Sequence, residues 1–157
     1  MTRPTPPAVT IRPATPADQA AWWPLWQAYL TFYETTLPDA VSHLTWQRLM
    51  DPAEPMHVAL AEQDGPNGRT VVGLVHYIEH RSCWTEGNYM YLQDLFAHES
   101  VRGQGVGRAL IEHVYQDARQ RGCARVHWLT QEGNATARQL YDRVAIRSGF
   151  IQYRQLL

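Results

Sequence analysis

The 157-residue chain sets 14 Lys+Arg against 15 Asp+Glu, a net charge of −1, within a composition that is 45% hydrophobic. That is enough apolar material for one domain with its own core and too little chain for two, and the near-neutral balance excludes a global field for nucleic acid or an anionic membrane. Cys83 and Cys123 show no C-x-x-C or metal-type spacing, which predicts a reducing, cytoplasmic setting; MTRPTPPAVT lacks the apolar stretch of a signal peptide, and no run approaches the roughly 18 apolar residues of a membrane span.

Residues 1–8 read as a proline-rich leader and 9–157 as a single domain. Val9 to Arg12 has strand character, and Thr15-Pro16-Ala17-Asp18 then supplies a capping hydroxyl, a proline at the first helical position and an acid at the third. Trp22, Trp26, Tyr29, Leu30 and Tyr33 recur at helical spacing along one face until Pro38, and a second helix is expected over Val41 to Met50. Met56–Ala61 and Val71–Ile78 are β-rich and flank Asp64-Gly65-Pro66-Asn67-Gly68, which predicts a hairpin with a loop of several residues. A third strand, Tyr89–Ala97, is expected to place Tyr89, Tyr91, Gln93 and Leu95 on one face and Met90, Leu92, Asp94 and Phe96 on the other.

From Gly107 the period becomes helical, with Leu110, Ile111, Val114, Tyr115 and Ala118 forming a stripe that ends at Gly122. A strand over Arg125–Thr130, a helix capped by Asn134, and a final strand over Ile151–Leu156 complete the reading. The order predicts an α/β fold: a mixed central sheet, antiparallel in its N-terminal half, with a βαβ crossover in its second half and flanking helices.

The chemistry concentrates at RGQGVGR, residues 102–108, a glycine-dense turn between a strand and a helix. Such a turn aims several backbone N–H groups at one spot beside the positive end of a helix dipole, which suits a phosphate; Gly103, Gly105 and Gly107 permit positive φ and close approach, and Arg102 and Arg108 add charge. Two familiar phosphate motifs fail. A P-loop needs Lys-Ser/Thr where Arg108-Ala109 stands, and the dinucleotide fingerprint needs glycine where Arg108 or Leu110 stands.

The spacing Arg102–Gly105–Gly107 matches R/Q-x-x-G-x-G/A and resembles the pyrophosphate loop of the GNAT N-acetyltransferase superfamily. TIRPATPADQ, YLQDLFAHESVRGQGVGRALI, and NATARQLYDRV followed by GFIQY look like GNAT segments in the right order, over essentially residues 9–157. The YLQDLF run and the GFIQYR ending are nearest in look to the spermidine/spermine and histone/polyamine acetyltransferase branches. The resemblance implies a parallel strand pair that splays in the middle of the sheet, with acetyl-CoA lying in the opening. It places the pantetheine arm against Leu95, Phe96 and Ala97 and the pyrophosphate on Arg102, Gly103, Gln104, Gly105, Val106, Gly107 and Arg108. Asn134 and Arg138 stand at the cofactor, and Tyr141 points at the thioester sulfur.

Aminolysis of a thioester needs a neutral amine, a stabilised oxyanion and a protonated leaving sulfur, and no metal. A thiol of pKa about 8.5 leaves easily, so a tyrosine suffices as donor. The amine's proton is harder to place. In polyamine acetyltransferases the residue before the Asp of YLxDLF is typically Glu, whereas here it is Gln93, which cannot act as a base. A primary amine of pKa about 10.4 is neutral about once in 2,500 molecules at pH 7, an α-amino group of pKa about 8 about once in ten. The expectation is therefore a lower-pKa acceptor or another base working through water.

Asp94 and Glu34 are the first candidates for that base, with Glu79, His76 and His127 behind them; His76 and His80 share a strand face without a third metal ligand. Trp22, Trp23, Trp26, Tyr29 and Tyr33 form an aromatic cluster that could wall an acceptor pocket and hold a cation by its π faces, with core packing favoured for most of them; Tyr33 and Trp84, with Gln93, are the residues expected at the acceptor. The expected acceptor is a small polyamine-like or amino-acid-like amine. A peptide lysine or N-terminal acetyltransferase, or a weakly catalytic CoA-binding sensor, are the alternatives. A homodimer with the C-terminal strands at or near the interface is also expected, because the chain stops soon after Gly149-Phe150.

Overall fold

A computed structural model describes residues 2–5 and 7–157; Met1 and Pro6, both in the expected leader, lie outside the described residues. The elements are β1 (Val9–Pro13), α1 (Gln19–Phe32), α2 (Asp39–Met50), β2 (Met56–Gly65), β3 (Gly68–His80), β4 (Tyr89–Ala97), α3 (Val106–Gln120), β5 (Arg125–His127) and α4 (Ala135–Val144). The strands form one sheet in the order β1-β2-β3-β4-β5, antiparallel throughout except for the parallel β4–β5 pair. The mixed sheet with flanking helices is the architecture expected from the sequence.

The entry to α1 is built as the Thr15-x-x-Asp18 pattern requires. Thr15 N–H donates to the Asp18 carboxylate at 2.7 Å and Asp18 N–H donates to the Thr15 carbonyl at 2.9 Å. Arg12 of β1 grips the same carboxylate with both terminal nitrogens and also donates to Glu62 on β2, so the guanidinium holds Asp18 well below the usual carboxylate range. One face of the sheet packs Val58, Leu60 and Leu74 against Trp22, Trp26, Leu30, Trp46 and Leu49 of α1 and α2. The other packs Ala59, Val75, Tyr77, Met90 and Leu92 against the Val106, Leu110, Ile111 and Val114 stripe of α3.

Four expectations need correction. The β2–β3 loop is not several residues long: Gly65 pairs with Gly68, leaving only Pro66 and Asn67 in the turn. The faces of β4 do not alternate without interruption. His76 pairs with Asp94 but Tyr77 pairs with Leu92, so Gln93 is the extra residue of a bulge. Past it the phase reverses, and Leu95 and Ala97 join Met90 and Leu92 in the α3-side core.

The strand expected over Arg125–Thr130 is cut to Arg125–His127, because only Tyr89, Met90 and Tyr91 find parallel partners there. Ile151–Leu156 forms no strand; within one chain this segment meets no ladder, and Ile146, Phe150, Ile151, Tyr153 and Leu156 are all exposed.

The β4–β5 pairing is set from below by the backbone. Ala124 N–H donates to the Asn88 carbonyl at 2.8 Å, and a Cβ on Gly87 would stand well inside van der Waals distance of the Gly122 carbonyl oxygen. Gly87→Ala is expected to destabilise the fold by about 1–3 kcal/mol as the two backbones are forced apart. Urea unfolding measures this, and an unchanged midpoint contradicts the close approach.

Candidate active site

The parallel pair ends at Tyr91–His127, while β4 runs on to Ala97 with no partner on that side. The backbone of Leu92–Ala97 therefore presents hydrogen-bonding groups along an open edge. Leu95, Phe96 and Ala97, expected to meet the pantetheine, all lie on this stretch and are half-buried.

The glycine turn lies beyond the end of β4. Gly103 and Gly105 have φ of 74° and 81°, Gly105 is the N-cap of α3, and no heavy atom stands within 4 Å of where a Cβ would project from either. Gly107 differs from expectation: it is helical, without positive φ, and a Cβ there would meet Leu140 of α4 at an ordinary contact distance of 3.4 Å. The first helical bond here is Ala109 N–H to the Gly105 carbonyl at 3.0 Å, and the N–H groups of Gly103, Gly105, Val106, Gly107 and Arg108 have no backbone partner among the described residues. The turn's side chains are engaged elsewhere. Arg102 lies over the Phe32 ring at 5.9 Å, Gln104 donates to the Ser100 carbonyl at 3.3 Å, and Arg108 stands 4.0 Å from Glu112. The anion-binding capacity of the turn thus resides mainly in its amides.

On α4, Asn134 occupies the N-cap position without a side-chain capping bond, turning its amide toward Thr130 Oγ1 at 3.5 Å, and Arg138 donates to the Glu132 carbonyl at 2.7 Å. Tyr141 packs edge-on against Trp128, with ring centroids 5.4 Å apart. Burial, with Tyr33 adding, pushes its phenol up to about 12.

Tyr29 comes from α1 and Tyr33 from its C-cap, with rings 5.0 Å apart, and Tyr91 and Asp94 come from β4. All three phenols are raised by burial first and then by the charge of Asp94, Tyr29 far above its ordinary value. The bulge explains the grouping. Without it, Tyr91 and Asp94 would project from opposite faces of β4. Asp94 itself is 9% exposed and bonded to His76, whereas Gln93 points to solvent.

Tyr33, Asp94 and Tyr141 are thus brought together, but Glu34 and Trp84 are not. Trp84 is 78% exposed and lines a separate cavity of about 290 Å³ with Cys83, Tyr89, Arg125 and Phe150. Glu34 is exposed and left-handed, with φ of 53°. It terminates α1: Glu34 N–H donates to the Thr31 carbonyl and Thr35 N–H to the Leu30 carbonyl, both at 2.9 Å, the pattern usually built with glycine. The sequence places Tyr29 in the aromatic cluster without singling it out, because the helical period favours core packing for it, and it gives no expectation of Tyr91 beside Asp94, because that grouping depends on a bulge that no residue type announces.

A family model described as the acetyltransferase (GNAT) family matches residues 21–145. The chain belongs to that family. It is similar to the D-amino-acid N-acetyltransferase HPA3 of Saccharomyces cerevisiae, 35% identical over 147 residues that make up 94% of this chain and 90% of that protein. It is also similar to the thialysine N-epsilon-acetyltransferase of Bos taurus, 34% identical over 76 residues, 48% of this chain and 44% of that protein. Among solved structures, AAC(6')-Iy in complex with the bisubstrate analog CoA-S-monomethyl-acetylneamine shares the fold, with a TM-score of 0.79 at 18% identity, covering 96% of this chain and 99% of that one. The chain is an N-acetyltransferase of the GNAT family, as its ordered motifs implied.

Glu34→Gly separates a turn role from a catalytic one. Relief of the left-handed strain is expected to raise stability by about 0.5–1 kcal/mol, read by thermal unfolding, with acetyl transfer retained. A tenfold loss of turnover in a more stable protein would restore Glu34 as a catalytic candidate.

Proposed function

We propose that this acetyltransferase moves the acetyl group of acetyl-CoA to the α-amino group of a small, amino-acid-like acceptor. The observation that carries the reading is that the bulge at Gln93 sets the buried Asp94 carboxylate on the same face of β4 as Tyr91, where its charge adds to burial in raising the phenols of Tyr29, Tyr33 and Tyr91. One carboxylate beside aromatic rings suits a single ammonium group better than the several charges of a polyamine. Arg154 also acts on Tyr91, from the C-terminal segment, and offers a cation to an acceptor's carboxylate. The likeness to a D-amino-acid N-acetyltransferase supports the same acceptor class.

The residues present fit acetyl-CoA. The free amides of Gly103, Gly105, Val106, Gly107 and Arg108 suit a pyrophosphate, and the open edge of Leu92–Ala97 suits the amide groups of a pantetheine arm. Asn134 and Arg138 are assigned to its flank. When bound, acetyl-CoA supplies the thioester that the amine attacks. Asp94 receives the ammonium form and orients it, with Gln93, at the bulge, left to contact acceptor or water. The amine loses its proton to solvent before attack. As the C–N bond forms and the C–S bond breaks, the nitrogen releases its second proton to water, the Tyr141 O–H gives its proton to the leaving sulfur, and Tyr141 is re-protonated from water, leaving the amide and the free thiol.

We further assign a homodimer to the exposed apolar side chains of the C-terminal segment and the short, one-sided edge strand β5. The two free cysteines support a cytoplasmic location. Among the described residues no helix is long and apolar enough to cross a membrane.

A panel of D- and L-amino acids, thialysine and spermidine, with product mass confirmed, tests the acceptor. The α-amino acceptors are expected to exceed spermidine about tenfold or more in kcat/KM at pH 7; spermidine preferred over every α-amino acceptor contradicts the reading. Tyr141→Phe is expected to lower kcat by about 10–100-fold. Because burial holds the Tyr141 phenol at about 12, wild-type kcat/KM should climb with pH as the acceptor amine loses its proton, with no fall from Tyr141 below about pH 11. Light scattering at micromolar concentration should give a dimer mass that deletion of residues 150–157 abolishes, and a strictly monomeric profile contradicts the assembly.

A further inference from the structure

His76 lies inside the sheet at 3% exposure, and both of its ring nitrogens are engaged. The Trp22 indole nitrogen stands 2.9 Å from Nε2, and Asp94 Oδ2 stands 2.9 Å from Nδ1. An indole nitrogen only donates. Nε2 must therefore present its lone pair, and the ring proton sits on Nδ1, where it is donated to Asp94. Trp22 is held in turn: it is fully buried, its ring stacks 5.8 Å from Trp26 and lies 4.9 Å from Trp46, and Trp26 donates to Ser42 Oγ at 2.9 Å.

One carboxylate oxygen of Asp94 is thus fixed by an interior donor, while the group lies on the Tyr91 face of β4 and its charge adds to the raising of the Tyr29, Tyr33 and Tyr91 phenols. The chain of bonds also settles what His76 does not do. With Nε2 occupied by a donor, it has no free lone pair for the proton of an acceptor amine, so it orients rather than relays.

We propose that His76 is a positioning residue for acetyl transfer: locked by Trp22 as the Nδ1–H tautomer, it aims the Asp94 carboxylate at the ammonium group of the incoming acceptor. The role rests on Asp94 being the acceptor-binding carboxylate, as argued above. The sequence pattern put His76 among the possible bases. The geometry moves it one bond back from the acceptor.

The test compares His76→Leu, which fills much of the ring volume without a donor, with His76→Asn, whose amide N–H can replace Nδ1–H. KM for a D- or L-amino acid and KM for acetyl-CoA are measured separately in each. His76→Leu is expected to raise the amine KM about tenfold or more, the scale of losing a hydrogen bond to a charged group, with acetyl-CoA KM within about twofold of wild type. His76→Asn is expected to restore the amine KM to within about threefold.

Trp22→Phe keeps an aromatic ring, smaller than the indole, but removes the donor that sets the His76 tautomer. It should raise the amine KM several-fold with acetyl-CoA KM again unchanged, and it supplies the test if His76→Leu does not fold. An unchanged amine KM in His76→Leu, or equal rises in both KM values in all three variants, overturns the proposal. Asp94→Asn separates the two levels: an unaffected amine KM there, or a wild type that releases no thiol on addition of any amine, removes the acceptor reading and this role with it. An affected Asp94→Asn beside an unaffected His76→Leu removes the role of His76 alone.

Discussion

Parallel pairing between β4 and β5 covers three residue pairs and then stops. Most of the functional architecture depends on that early stop. A fully zipped pair would satisfy the outer edge of β4 with protein and leave nothing for a ligand to bond. Because the strands part after Tyr91, backbone groups of Leu92–Ala97 face an opening that leads toward the glycine turn at 103–107. The register that begins the pairing is fixed by backbone contacts below it, where Gly87 meets Gly122 and Asn88 bonds Ala124. The opening therefore lies between two well-anchored elements.

The bulge at Gln93 adds the second half of the site. It reverses the phase of β4, so that apolar Met90, Leu92, Leu95 and Ala97 all serve one core while Tyr91 and Asp94 share the other face. Burying a carboxylate among aromatic rings costs several kcal/mol unless it is bonded, and a hydrogen bond to a charged group recovers about 1.5–3 kcal/mol. Here the bond comes from His76, itself satisfied by Trp22. The tryptophans of α1 thus serve the core and the polar chain at once.

Much of this was legible in the sequence because it was local. The Thr15–Asp18 pattern fixed the entry to α1, the apolar stripe of α3 fixed its buried face, and Arg102–Gly105–Gly107 identified the turn through fixed spacing. What was not legible was set by register or by long-range partners. The bulge is a mismatch between two strands and is invisible in either alone, so the predicted faces of β4 were wrong past Leu92 and Tyr91 was missed. Strand propensity in Ile151–Leu156 was real, but a strand also needs a ladder, and one copy of the chain supplies none there. Trp84 looked like a pocket wall because it precedes the central strand, yet it stands on the far side of the parallel pair from Asp94 along β4. Glu34 drew attention as an acid near the acceptor, and its position is explained by how α1 ends.

Acetyl-CoA, bound as proposed, completes the open edge of β4 and engages the amides of the glycine turn. Amide hydrogen exchange with and without acetyl-CoA measures this directly, residue by residue. Exchange is expected to slow mainly at backbone N–H groups within Leu92–Ala97 and Gly103–Arg108, with β1 and β2 unchanged. Saturating acetyl-CoA that leaves the exchange of both segments unaltered would contradict it.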